Sequence, residues 1–569
     1  MGKGQERRGS ALKKTVAAIV GLALIAGLGA PYWMGRQIEQ QYAGYLQQLE
    51  KFDYIQVEKQ IYERSWFEAR ASYELILEPE FAQTYQQLLA SNLALDLEGE
   101  PLRIAVEDLI THGPFMGALA SLEGRAEASG WLFEQLIQLE EEAVLSRYDA
   151  RVGFDRVVQG EWAPMEMALV AGPLLADAGL DLRYVADYQG GDFRYDPASG
   201  EYRSSNRLGQ ARLEEPTAIH TFEGSTSNLV ASFPQGVLRE VAFRADDAPM
   251  LTESRDLQQV SDSRIEGQSV EVKLLFDEQG RFEHFTTHLE LEGFESEEPD
   301  LYLAMDGFNA DIDASRQGGN SWYGQLGVSL DGLTLREQHS PGLTAQSANF
   351  RLGLAPESES HFQVAQLWSA NDLRIQGMEE PIAFHVESSY GQLPLTEYDA
   401  LWSLIYEAID VFQLDDPNVV LPVFERMEQV GETLISGRSV FSFKPVSFSI
   451  GDARADLELE ADLGFHDFGT FDERMLLAPE NRLDLNVNAP AVLLHKVARE
   501  SLRQQYSGMV SGNELDAMAK ELVAESLQPM LELGVVRRDK EDRYSLHLLL
   551  QDGQLLMNDE PGDWLLSQF

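Results

Sequence analysis

The clearest rhythm in the chain is a two-residue alternation. Ala453, Ala455, Leu457, Leu459, Ala461 and Leu463 interleave with Arg454, Asp456, Glu458, Glu460 and Asp462. Successive side chains of a strand point to opposite faces, so this pattern predicts a half-buried strand with one apolar and one charged face. The same reading places strands at Val270–Phe276 and Phe285–Leu291, joined by the hairpin-like turn Asp277-Glu278-Gln279-Gly280. In the second of these, Leu289 and Leu291 fall on one face and Glu290 and Glu292 on the other. Further turn signals at Gly190-Gly191, Glu266-Gly267 and Asp331-Gly332 punctuate β-like sequence between residues 53 and 390. No crossover helix of convincing length interrupts it, which favours an antiparallel sheet over βαβ units.

After Thr396 the apolar spacing lengthens to three and four residues. Leu401, Leu404, Ile405, Ala408 and Ile409 share a helical face, opened by Thr396 and Asp399 in a capping-box arrangement. Pro417 interrupts this helix, and a second is expected from Val419 to Leu434. Strands return at Phe441–Ile450, Ala453–Leu463 and Leu483–Val487, and Pro490 leads into helices over 491–506 and 513–533. Tyr544–Leu550 and Gln554–Met557, joined by Asp552-Gly553, close the pattern. The fold class is α+β with β dominant: a long antiparallel sheet, elongated or curved, over 53–390, then mixed helix and strand over 391–569. No Pro- or Ser-rich linker divides the two, and no repeat of fixed period is visible.

The first residues follow a different logic. Lys3, Arg7, Arg8, Lys13 and Lys14 against Glu6 give the leader 1–14 a charge of +4. From Thr15 to Met34 no side chain is charged, and Arg36 closes the run. Twenty residues at about 1.5 Å each match the roughly 30 Å hydrocarbon core of a bilayer, so 15–34 is read as a transmembrane anchor. Tyr32 and Trp33 fall at its far end, where amphipathic rings favour the headgroup layer. The basic leader then stays in the cytoplasm, and in a Gram-negative host the rest lies in the periplasm. A cleaved signal peptide would share the basic leader. Its apolar core is usually about 7–15 residues long, and cleavage after Ala30 would put Leu28 at the −3 position and Pro31 just beyond. The uncleaved anchor is therefore preferred. Ala23 and Gly27, or Ala26 and Ala30, offer small residues for helix pairing, which leaves a homo-oligomer open. Residues 35–52 read as a juxtamembrane helix, with Ile38, Tyr42, Tyr45, Leu46 and Leu49 recurring at three to four residues.

Composition narrows the function classes. The 94 acidic and 44 basic side chains leave a net charge of −50 over 569 residues, or −54 once the +4 leader is set aside. Such a surface excludes nucleic acid, which is bound through Lys and Arg clusters, and repels anionic headgroups. Solubility in a saline exterior accounts for the acidity without a functional role, and calcium binding is the sharper alternative. The length exceeds what one compact core serves. With no cysteine, disulfides, thiol catalysis and Cys-ligated metal sites are ruled out.

No catalytic residue, cofactor site or metal site is assigned. The chain has no Gly-x-Ser-x-Gly elbow, His-Glu-x-x-His helix or Walker-type loop. His284 and His288 sit on a predicted strand with no third ligand evident, and read as solvent-side residues. Asp306, Asn309, Asp311 and Asp313 depart from the EF-hand spacing and read as a solvated loop. Two segments look more deliberate. Tyr62-Glu63-Arg64-Ser65-Trp66-Phe67 sets aromatics around a small residue at a strand start. In Thr111-His112-Gly113-Pro114-Phe115 the Pro holds Gly113 extended. The preferred reading is a tight corner with Phe115 as a core anchor; the functional alternative makes His112 part of a binding site.

These landmarks, in this order after Gly35-Arg36-Gln37-Ile38-Glu39 and with Tyr544 and Gly553-Gln554-Leu555-Leu556-Met557-Asn558 near the end, resemble the YdgA-like family of bacterial envelope proteins. Ser65 and Asp559 stand where that family usually has Gly. The resemblance implies a single-pass inner-membrane protein with a periplasmic domain, and supplies no catalytic residues. The expected function is a non-enzymatic envelope protein that binds or scaffolds an envelope component, specifically lipids or acyl chains in a hydrophobic groove. A continuous apolar inner face would support that reading and a fully packed interior would oppose it. The alternatives are an assembly module using the helices at 396–434 and 491–533, self-association included, and a periplasmic hydrolase gathered around His112.

Overall fold

The computed structural model describes residues 33–47, 49, 55–77, 103–113, 117–129, 137–140, 144–177, 179–254, 261–317, 319–338, 340–412, 417–435, 437–465, 478–506 and 509–562. All of the transmembrane run Thr15–Met34 except Trp33 and Met34 lies outside them, as do Tyr32, Pro114 and Phe115. Among the described residues no helix is long and apolar enough to cross a membrane. The chain forms two compact units, residues 1–260 with 275–281 and residues 261–274 with 282–569, divided inside the β-rich stretch 53–390.

In the first unit the strands pair in chain order as an antiparallel meander. It runs through β1 (Ile55–Arg64), β2 (Glu68–Leu77), β3 (Arg103–His112), β4 (Ala120–Ser129) and β5 (Val144–Val152). It continues through β6 (Val158–Trp162), β7 (Arg183–Asp196), β8 (Glu201–Glu214), β9 (Ser225–Ser232) and β10 (Glu240–Asp247). Residues 33–47 form helix α1 on the apolar face of β1–β5. Its stripe is Met34, Ile38, Tyr42 and Leu46, one residue per turn. Met34 and Ile38 pack with Ala69, Ile110, Leu119, Ala120 and Val152, and Leu46 packs with Val57, Tyr73 and Val106. The close approach depends on Gly35, where a Cβ would come within 2.6 Å of the His112 ring. Gly35→Ala is expected to cost about 1–3 kcal/mol by overpacking, read as faster amide exchange in α1 and β3.

The second unit repeats the meander from β11 (Phe282–Glu297) through β12 (Gly307–Arg316), β13 (Trp322–Glu337), β14 (Ser340–Pro356) and β15 (His361–Ile375). It goes on through β16 (Ile382–Pro394), β17 (Gly437–Ile450), β18 (Ala453–Phe465), β19 (Arg482–Pro490), β20 (Arg543–Gln551) and β21 (Gln554–Met557). A helix pair, α2 (Leu395–Phe412) and α3 (Pro417–Ile435), lies between β16 and β17 in sequence, and a second, α4 (Ala491–Gln505) and α5 (Gly512–Glu532), between β19 and β20. Each pair packs on itself, through Leu404, Ala408 and Val423 in the first and Ala498, Ala519 and Val523 in the second.

Two local expectations change. Pro417 opens α3, at a position where a missing N–H costs nothing. Asp399 does not cap its own helix: its carboxylate accepts the Asn320 N–H at 2.8 Å and the Ser321 hydroxyl at 2.9 Å. Tyr398 donates to the Trp322 carbonyl at 2.5 Å, so consecutive residues of α2 tie the helix to the start of β13. Ser321 is 3% exposed, and Asp399→Ala would leave its hydroxyl and a nearby amide without this acceptor. The expected cost is about 1–3 kcal/mol, measured as a lower denaturation midpoint of the second unit.

Candidate apolar ligand site

Residues paired across neighbouring strands point to the same face, so the register of the second unit converts sequence alternation into rows that cross the sheet. One row starts Leu289, Ala310, Val328, Phe350 and Trp368, each directly opposite the next. It continues Val386, Val446, Leu457, Val487 and Leu546, from β16 to β20. Every member is apolar, and none is buried. Trp368 is 48% exposed, with its ring centroid 4.2 Å from that of Phe350. A parallel row four residues away holds Phe285, Ala314, Gly324, Leu354, Val364 and Tyr390, the last 40% exposed, with Leu354 and Val364 packed near Tyr398 of α2.

The row midway between them on the same face, Thr287, Ile312, Leu326, Leu352, Gln366 and Ser388, is mixed, whereas the residues directly next to the first row point to the opposite face. Glu290, Asn309, Ser329, Asn349, Ser369 and His385 form a row of their own, wholly polar. The sheet is therefore two-sided along these rows, with hydrogen-bonding side chains on one face and a largely apolar surface on the other. His284 and His288 lie on the polar face, where His288 Nδ1 is 2.6 Å from Asp311 and His284 Nε2 is 3.5 Å from Asp313. The acidic cluster read as a loop is largely strand β12: Asn309, Asp311 and Asp313 alternate with Phe308, Ala310 and Ile312. Among the described residues no group of three or more His, Asp or Glu is placed to hold a metal ion. What the apolar face presents to solvent is mainly hydrocarbon.

The sequence landmarks gather in the first unit. His112 is 1% exposed beneath Gly35, and its N–H donates to the Phe67 carbonyl at 2.8 Å. Gly113 lies against the Phe67 ring, since a Cβ there would be 3.6 Å from it. Tyr62 packs against Tyr42 of α1, while Trp66, Phe67 and Trp33 are exposed. What the sequence reading missed is Asp108, on the same face of β3 as Val106 and Ile110 and 5% exposed. Its carboxylate accepts the Tyr42 hydroxyl at 2.5 Å and the Tyr148 hydroxyl. Burial pushes the Asp108 carboxyl above its usual range, and the two phenols pull it back down; burial likewise raises both tyrosines. The signal was an acid at an alternation position that calls for an apolar side chain.

A family model described as a bacterial protein of unknown function (DUF945) matches residues 12–230 and 248–563. No curated protein and no solved structure matches the chain.

Proposed function

The chain belongs to the DUF945 family of bacterial proteins of unknown function, and from that premise we propose that it is a non-enzymatic envelope protein that binds acyl chains along the apolar face of its second unit. In this reading Thr15–Met34 anchors it in the inner membrane and the described body lies in the periplasm, which the basic leader and the likeness to YdgA-like proteins support. The observation that carries the proposal is the uninterrupted apolar row from Leu289 to Leu546, none of it buried.

Strand spacing of about 4.8 Å makes that row on the order of 40 Å long, whereas one acyl chain spans about half of a roughly 30 Å bilayer core. Each methylene taken from water contributes about 0.8 kcal/mol. An extended peptide fits this face poorly. The backbone groups inside the sheet are already paired, so the peptide's own N–H and C=O groups would lie unsatisfied on hydrocarbon. A lipid tail carries no such groups. Native mass spectrometry with lipid extraction on the full chain from its own host tests the reading: stoichiometric lipid is expected, and a clean apo mass from mild extraction opposes it.

A second reading has one observation in its favour. Leu421 and Phe424 of α3 are 60% and 44% exposed, three residues apart on the helix, as an assembly contact would need. Crosslinking from positions 421 and 424 in intact cells would capture a defined partner if that reading holds, and only background if it does not.

A further inference from the structure

We infer that the end of the first unit where α1 begins rests in the headgroup layer of a lipid bilayer, with Trp33, Trp66, Phe67 and Phe154 as its anchors. The inference rests on the reading of Thr15–Met34 as a membrane span, and extends it from the helix to the sheet. Separate segments bring these rings to one end. Trp33 opens α1, Trp66 and Phe67 form the β1–β2 turn, and Phe154 sits on the β5–β6 turn. Gly35 lies on His112 at the last residue of β3, and His112 bonds the Phe67 backbone. Along the same edge His112 pairs with Ala120 and Ala120 with Val152, which precedes the turn that carries Phe154.

Their exposures are 59% for Trp33, 47% for Trp66, 47% for Phe67 and 62% for Phe154. Rings this large, each about half or more open to solvent, leave apolar area at this end that the unit itself does not cover. The occupant of that end is a bilayer because the uncharged run leads straight into α1 there, with Met34 already packed in the unit's core. Trp and Phe are at home at the membrane–water boundary. Arg36 and Arg156, both exposed beside the rings, are placed to meet lipid phosphates. The strongly acidic remainder keeps the contact confined to this end.

The chain has no cysteine, so single-cysteine variants label cleanly. Trp66→Cys, Phe67→Cys and Phe154→Cys of the full chain, each carrying a nitrobenzoxadiazole dye, are reconstituted in phosphatidylcholine vesicles. Gln56→Cys, at the other end of β1, is the reference. Dyes at 66, 67 and 154 are expected to shift to the blue, to be quenched by brominated acyl chains and to lose quenching by aqueous iodide, whereas the dye at 56 stays in water. Vesicle flotation separates the two readings. A chain that floats with all four dyes in water overturns this inference and leaves the anchor standing; a chain that does not float overturns both.

Discussion

Trp368→Glu is expected to abolish lipid retention, weakening binding at least about a hundredfold, while Ser369→Glu one residue along leaves it intact. The two substitutions add the same charge to the same strand, but register puts Trp368 between Phe350 and Val386 in the apolar row and Ser369 between Asn349 and His385 in the polar one. Because Trp368 is 48% exposed in the free protein, its replacement by a solvated carboxylate costs the fold little. A tail laid over that carboxylate would strip its water without supplying a partner, a penalty of several kcal/mol, and about 1.4 kcal/mol is already a factor of ten in affinity. Phe350→Glu is expected to behave like Trp368→Glu. Lipid counts by native mass spectrometry, with circular dichroism as the check on folding, decide the matter. Equal retention by the variants at 368 and 369 would remove the apolar face from consideration.

How much of this could be read from sequence depends on whether a feature is local. The strand at Ala453–Phe465 was legible because each residue carries its own assignment, charged outward and apolar inward. The helices were legible because their stripes repeat within one segment. Residues 307–316 were harder: Asp306-Gly307 looks like a turn, and the strand that follows bears acids on its solvent face. The apolar row itself was out of reach. Val328 and Phe350 become neighbours only once β13 and β14 adopt their register, and a shift of one residue would have set Val328 beside a polar side chain. Asp559 shows a subtler gap. It occupies the left-handed region at φ 68°, a backbone conformation that favours glycine and that could not be derived from its neighbours. Asp108 was hidden for the opposite reason: its pattern said core while its chemistry said surface, and only Tyr42 and Tyr148, from other elements, reconcile the two.

Those phenols lead to the second large effect. Tyr148→Phe is expected to cost the first unit about 1.5–3 kcal/mol at neutral pH, the range for a hydrogen bond to a charged group, and distinctly less near pH 4. The sign follows from Asp108. Its folded-state pKa lies above the unfolded value of 3.8, so the folded state binds the proton more tightly. Stability referred to this group is therefore greatest below the unfolded value and falls as pH rises through the folded one, each unit of separation costing about 1.4 kcal/mol. Removing a phenol that holds the carboxylate down raises the folded value further and deepens the loss at neutral pH. Exposed acids such as Glu140, Asp246 and Asp277, held low by arginines or backbone amides, push the whole protein the other way. The comparison must therefore be a difference between variant and parent at each pH, read from amide exchange in β3 and α1. Asp108→Asn supplies the control: it carries no charge at any pH, so its stability relative to the parent should rise with pH over that window and level off above it. A difference that stays flat would mean that the two tyrosines cancel the effect of burial on Asp108, and one that falls as pH rises that they outweigh it.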